Sequence, residues 1–411
     1  MKALLRLPAF RGFLIASVLA RLGGSALGVL LGFHVYTLTH DPMMIGWLGL
    51  AQATPAVSLV LYGGHLADRF SRRTMALLGR CGWIAGSAPL AIAAATGTPW
   101  MVPILLVCGF ALACAGAITN PAMAGLEAEV VPRESTMRAV SLLGSASQAA
   151  ALTGPLAGAL LFEAAGPALT YGAICLLFCL SALAMGRLVP NRPAPPRPAQ
   201  ADVFGRIAEG FRIVIADQRL IGSMALDLFA VFFGGASALL PIFATEILHV
   251  GAGGFGLLRA AESIGALAAM LVATRHPPRH RAGLALFTAI AGFGIAIITF
   301  ALSSSFVLSF MALLVVGACD GVSMVVRQAI LRLVAPGPLR GRISAVRSVF
   351  INASNELGDV ESGMLAAWLG AVPTVWLGGV ITLGVVAVTA WRAPKLRRMN
   401  LAAMESALAA D

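Results

Sequence analysis

Several ionisable side chains lie inside stretches of sequence that are otherwise apolar. Asp227 is embedded in SMALDLFAVFF and Asp320 follows the run LLVVGAC, whereas Glu356 lies in INASNELGD, within the most polar of the long apolar segments. A carboxylate in apolar surroundings favours its neutral form, which is the property that a proton carrier needs. We therefore predict that these three residues carry protons, and Asp227 ranks first because its own apolar segment offers no basic partner.

Other polar residues are spaced to share one face of a helix. Arg259 and Glu262 are three positions apart, so they can pair within one helical turn. Polar residues recur at helical spacing between positions 348 and 359. In the first apolar segment, one basic residue, Arg21, interrupts the apolar run. We expect the following side chains to line a solute cavity: Arg21, Arg259, Glu262, Asn352, Asn355 and Asp359. A purely structural role for the Arg259–Glu262 pair, or for Glu356 paired with Arg327 or Arg259, stays open.

The elements that must position these groups are membrane-spanning helices. The chain of 411 residues is 59% hydrophobic and 11% charged, whereas a soluble domain carries about 25% charged residues. Apolar runs of about 20 residues, enough to cross a bilayer, recur along the chain. We predict an all-α polytopic membrane protein with twelve transmembrane helices, at residues 11–38, 43–64, 75–96, 100–126, 137–162, 167–189, 218–244, 253–273, 283–302, 306–332, 343–367 and 372–391.

The positive charge is distributed by side of the membrane. All of the 29 Lys and Arg residues except Arg21 and Arg259 fall in or beside alternate connections, among them 65–80 and 327–347. This is the positive-inside pattern, and it places both termini in the cytoplasm. The net charge of +11 is therefore interpreted as a topology signal and not as a nucleic-acid surface.

The predicted spans divide into two groups of six. We expect an N-terminal bundle at 1–189, a proline-rich cytoplasmic linker at 190–217, a C-terminal bundle at 218–391 and a cytoplasmic tail at 392–411. The linker contains a candidate amphipathic helix around Phe211, although an ordinary linker with a helical turn is an equal alternative. A weak internal similarity at a shift of about 208 residues is typical of transporters built from repeats.

The connection after the second span has a specific pattern. It reads GGHLADRFSRR, with Gly64, Asp68, Arg69, Arg72 and Arg73 in order. This pattern resembles the signature loop of the major facilitator superfamily, and the resemblance implies two pseudo-symmetric six-helix bundles. It also implies that Asp68 caps span eleven and that Arg72 pairs with an acid at the end of span four, Glu127 or Glu129. A basic loop that only sets topology is the alternative, and Arg69 and Arg73 fit it as well.

Further stretches indicate a branch of that superfamily. The segment TGPLAGA, with Gly154, Pro155 and Gly158, resembles part of the motif of its drug-exporting antiporters. The segments NPAMAGLEAEVVPRE and SNELGDVESGMLAAWLGAVP resemble the branch that contains the enterobactin exporter and related secretion transporters. Span four lacks the mid-span arginine of many proton-driven antiporters, so another group must carry the proton.

These observations predict a secondary active transporter that works by alternating access and exports an amphiphilic small molecule in exchange for protons. An importer or facilitator of a metabolite, and a flippase for lipid or lysolipid, are the alternatives. We expect no enzymatic activity, no cofactor and no metal site, because the residues show no such constellation. The expected partners are a small-molecule substrate, protons and the bilayer, for a monomer in the bacterial inner membrane, and nucleic acid is not expected.

Overall fold

A computed structural model gives the fold of the chain. It describes residues 4, 6–59, 70–131, 136–191, 211–234, 236–278, 280–334 and 340–404, without the side chains of 57, 136–137, 340–342, 344–353 and 356. The described part is helical and contains no strand. Its helices are α1 (Pro8–Thr39), α2 (Pro42–Ser58), α3 (Arg72–Thr96), α4 (Met101–Val130), α5 (Thr136–Leu188), α6 (Gln218–Phe233), α7 (Ala236–Ile242), a π-helical turn (Phe243–Ile247), α8 (Gly251–Arg275), α9 (Ala282–Ala301), α10 (Phe306–Val334), α11 (Arg340–Leu369), α12 (Ala371–Arg392) and α13 (Pro394–Arg397).

Helix boundaries follow local chemistry. Asp41 caps α2 by accepting a hydrogen bond from the Met43 N–H at 2.9 Å. Helix α5 is two helices joined at Gly166, whose φ of 77° favours glycine, and Pro167 then starts the second arm. Within the described residues, nine helical segments are long and apolar enough to cross a membrane. The chain is therefore an all-α polytopic membrane protein.

The chain forms two compact units, of which the first comprises residues 1–199 with 250–256. In this unit α1 packs along α5, α3 packs against α4 and α5, and α2 packs against α4. The crossing of α1 and α5 depends on small residues, since a Cβ at Gly154 would overlap Ser25 Oγ and the Leu22 carbonyl. At Gly158 a Cβ would lie 2.9 Å from the Ala26 Cβ. Both glycines therefore lie where α1 and α5 approach closely.

The second unit comprises residues 200–249 and 257–411. Helix α9 packs against α10 and α12, and α6 packs against α11 and α12. The first unit pairs its first span with its fifth, and the second unit likewise pairs α6 with α11. This shared internal pairing agrees with a repeat of six spans.

The segment after α12 folds back onto the second unit. Leu396, Met399 and Leu401 are buried in a core cluster with Leu220 of α6 and Leu286 of α9. The residues predicted to form a tail therefore contribute to the core of this unit. The candidate amphipathic helix falls mostly outside the described residues, although 211–216 are helical.

Candidate functional site

The second unit has an open cavity of about 460 Å³ that is lined by both polar and apolar side chains. Its polar lining contains Ser237, Arg259, Glu262, Ser263, Asp320, Asn355 and Asp359. Its apolar lining includes Val231, Phe293, Ile297 and Val316. The volume is in the range of sites for drug-sized ligands.

The ion pair of α8 lies in this cavity. Arg259 Nη1 is 3.1 Å from Glu262 Oε2, as the spacing in the sequence predicts. Ser237 Oγ donates to the same carboxylate, at 3.0 and 3.1 Å from its two oxygens. Two donors thus hold Glu262 in place and leave Arg259 locally neutralised.

Glycines bring α8 and α10 together beside this pair. A Cβ at Gly317 would overlap the Glu262 carbonyl, and a Cβ at Gly265 would overlap the Leu314 carbonyl. Because these backbones are in contact, Glu262 of α8 and Asp320 of α10 face the same cavity.

Next to this cavity, one buried arginine lies between two carboxylates. Arg327 Nη1 contacts Asp227 Oδ1, and Arg327 Nη2 is 3.5 Å from Asp320 Oδ1. Arg327 also donates from Nε to the Ser323 carbonyl at 3.3 Å. The side chains of Arg327 and Asp227 are 6% and 12% exposed, whereas that of Asp320 is 42% exposed. The span that carries Asp227 offers it no basic partner, as the sequence indicates, but α10 supplies one across the helix interface.

Asp320 lies between the buried Asp227–Arg327 pair and the open cavity. It lies midway along α10, and it lines both the large cavity and a smaller one that it shares with Asp227, Ser323 and Phe293. The three carboxylates Asp227, Asp320 and Glu262 are thus arranged around two arginines. Such an arrangement can exchange a proton for an ion pair as the arginine changes partner.

Helix α11 supplies the remaining polar wall. Asn355 and Asp359 line the cavity as predicted. The side chains of Asn352 and Glu356 lie outside the described residues, although α11 runs through both positions. Asp359 makes no hydrogen bond or ion pair within the described part of the chain.

Two arginines at the cytoplasmic margins of predicted spans are buried inside helices. Helix α10 continues to Val334, so Arg327 lies about 10 Å inside its end. Arg80 is likewise within α3, where it is buried, with its guanidinium 4.6 Å from the Trp83 ring and 3.8 Å from Met123 Sδ. Both residues fall within the predicted spans 306–332 and 75–96, but their burial was not predicted, because they were counted with the basic connections beside them. Ser237 was not among the predicted site residues, because an isolated serine carries no signal.

In the first unit, the start of α3 binds the ends of two other helices. Arg72 Nη1 is 2.8 Å from Glu129 Oε1 and 3.0 Å from the Gly125 carbonyl. Glu129, and not Glu127, is therefore the partner that the resemblance implied. Arg73 donates to the carbonyl of Gly186, which gives it a structural contact beyond its charge.

Three residues of the signature loop, Gly64, Asp68 and Arg69, lie outside the described residues. Arg21 is exposed on α1 of the first unit, so it does not belong to the cavity of the second unit. Pro155 lies within α5 beside Gly154. The cavity thus gathers the predicted residues of α8, α10 and α11 but not that of α1.

Comparison with known proteins gives the family. The model of the family described as transmembrane secretion effector matches residues 2–410. The enterobactin exporter EntS of Shigella flexneri is 27% identical over 372 residues, which cover 89% of this chain and 86% of that protein. The enterobactin exporter EntS of Citrobacter koseri is 26% identical over 369 residues, with 89% and 86% covered.

Solved structures share the fold at low sequence identity. A POT family transporter has a TM-score of 0.73 at 13% identity, covering 94% of this chain and 96% of its own. A bacterial homologue of the human lysosomal transporter Spinster has a TM-score of 0.69 at 14% identity, covering 95% and 98%. The predicted fold of twelve helices in two bundles is confirmed. The chain is a membrane transporter that belongs to the transmembrane secretion effector family of the major facilitator superfamily.

Proposed function

We propose that the chain exports an amphiphilic small molecule across the bacterial inner membrane in exchange for protons. Export is supported by the relatives, whose names describe them as exporters of enterobactin. An amphiphile is supported by the cavity of the second unit, which is lined by charged side chains together with the apolar side chains of Phe293, Ile297 and Val316.

The observation that carries proton coupling is the sharing of Arg327 by two carboxylates. Asp227 is buried against the guanidinium, whereas Asp320 is 3.5 Å from it and opens onto the cavity. An isolated charge at this depth in a membrane is costly, so each carboxylate must be either paired or protonated. When Asp320 binds a proton, Arg327 is left to Asp227; when Asp320 releases the proton, the two carboxylates share the single charge of Arg327.

In this scheme Asp320 is the carrier and Asp227 is its positioning partner. Their roles differ because Asp320 is reached from the cavity while Asp227 is enclosed. Glu356 stays a third candidate on sequence grounds. The gate implied by the signature loop, with Asp68 and the Arg72–Glu129 pair, is proposed to open and close the cytoplasmic side as in the superfamily at large.

The test uses proteoliposomes that contain a pH-sensitive dye and carry an imposed proton gradient. A panel of dyes, drugs and siderophores, including enterobactin, is added to wild type, Asp320→Asn, Asp227→Asn and the control Glu361→Gln. Glu361 is on the same helix as Asp359, contacts Ser362 and does not line the cavity. We expect a compound that dissipates the gradient with wild type and with Glu361→Gln, and at least tenfold more slowly with Asp320→Asn.

The remaining outcomes would replace the proposal. Solute movement by wild type with an undisturbed gradient would indicate a facilitator. Movement of a lipid-like probe between leaflets without any pH change would indicate a flippase. Wild-type coupling in Asp320→Asn would remove this residue as the carrier.

A further inference from the structure

The charges that line the cavity do not balance. Of the described residues, the lining contains one arginine, Arg259, and three carboxylates, Glu262, Asp320 and Asp359. Including the adjoining Asp227 and Arg327, four carboxylates face two arginines. The described lining and its neighbours therefore have a formal excess of two negative charges.

Within this set, Asp359 is the carboxylate without a direct partner. Glu262 is bound by Arg259 and Ser237, and Asp320 is near Arg327. Asp359 makes no ion pair or hydrogen bond among the residues that the structure describes, and it is exposed to the cavity. Arg259 acts on it electrostatically but is already held by Glu262. A carboxylate without a partner inside a membrane protein is either protonated or, where it is ionised, able to stabilise a cation.

The rest of the cavity defines what the cation is attached to. Besides the charged residues, the lining contains the apolar side chains of Val231, Phe293, Ile297 and Val316. A ligand that fills about 460 Å³ and matches both kinds of lining has a large apolar body and one positive group. A small inorganic cation would leave the apolar side chains uncovered.

We infer that the cavity binds hydrophobic cations, with Asp359 as the residue that receives the positive group. This inference rests on the proposed function, because it assumes that the cavity is the transport site. It adds the sign of the substrate charge, which neither the family nor the names of the relatives provide.

The test compares two ions of the same shape and opposite charge. Binding of tetraphenylphosphonium and of tetraphenylborate to the purified protein in detergent is measured by isothermal titration calorimetry at pH 8, without a proton gradient. We expect the phosphonium to bind at least tenfold more tightly than the borate. Asp359→Asn is expected to weaken phosphonium binding about tenfold, which corresponds to the loss of about 1.4 kcal/mol, and Glu361→Gln is expected to leave it unchanged.

The two ions on the wild-type protein test the inference even where a variant fails to fold. Equal or tighter binding of the borate would overturn it, as would the absence of phosphonium binding up to millimolar concentration. Unchanged phosphonium binding by folded Asp359→Asn would remove Asp359 as the receiving residue. Phosphonium binding without gradient dissipation would keep this inference while the proposed proton coupling fails. Gradient dissipation by neutral or anionic compounds alone would overturn this inference while the proposed proton coupling stands.

Discussion

Replacing Arg327 by methionine is the change that should expose the energetics of the second unit most directly. The substitution keeps an unbranched side chain of similar length but removes the cation between Asp227 and Asp320. Two carboxylates then remain at membrane depth without this arginine. Both must be neutralised or hydrated for the unit to stay folded.

The magnitude follows from the burial of each pair. Opposite charges about 4 Å apart interact by about 4 kcal/mol at an effective dielectric constant near 20. The Asp227–Arg327 side chains are 12% and 6% exposed, so breaking that pair should cost about 3–5 kcal/mol. The Asp320 side chain is 42% exposed, and solvent screening reduces its share to about 1 kcal/mol or less. We therefore expect Arg327→Met to destabilise most, Asp227→Asn less and Asp320→Asn least.

The assay is unfolding in mixed detergent and dodecyl sulfate micelles, followed by circular dichroism, for the three single variants and for Asp227→Asn combined with Arg327→Met. The double variant leaves no net charge in the pair and should recover about 2–3 kcal/mol relative to additivity. Equal stability of Arg327→Met and Asp320→Asn, or strict additivity in the double variant, would refute the buried-pair reasoning.

Three further predictions concern other parts of the chain. Gly154→Val should lower the free energy of unfolding by about 1–3 kcal/mol, because the new side chain would overlap α1 at the α1–α5 crossing. Gly172→Ala, which has open space around it, should be neutral when both variants are unfolded in mixed micelles. Arg72→Gln and Glu129→Gln should each reduce the transport rate in proteoliposomes, and the combined variant should do no worse than either, because both remove one pair; additive losses would contradict this. A hydrogen bond from the Arg219 guanidinium holds the pKa of the Asp217 carboxyl below its ordinary value. The ionised carboxylate therefore stabilises the fold at neutral pH, and this stability should be lost as the pH falls below about 4. Asp217→Asn should show a smaller loss over that range in unfolding measured against pH, and an identical acid profile would argue against this pair.

Much of the fold could be predicted because it depends on the hydropathy and backbone preferences of neighbouring residues. The apolar run at 306–332 corresponds to Phe306–Val334, and that at 283–302 corresponds to Ala282–Ala301. The break between the fifth and sixth spans follows from Gly166 and Pro167, whose backbone preferences need no partner. The Arg259–Glu262 pair is also local, since it lies within one turn of α8.

What could not be predicted depends on contacts between distant segments. Asp227 and Arg327 are 100 positions apart, and no periodicity connects them; their pairing exists because α6 and α10 pack together. Arg327 falls near the end of the predicted span 306–332 and was counted with the basic connection beside it, and its burial becomes visible only once α6 and α10 pack together. The burial of Leu396 and Met399 is of the same kind, since a short basic segment gives no sign that it returns to the core.

The return of that segment brings the beginning and the end of the second unit together. The Gln218 amide donates to the Arg392 carbonyl at 2.6 Å, and its oxygen accepts from the Lys395 N–H at 3.2 Å. A unit whose entry and exit are adjacent has the geometry that permits circular permutation. The second unit thus has the start of α6 held against the end of α12, which is the arrangement in which new termini could be opened elsewhere in the unit.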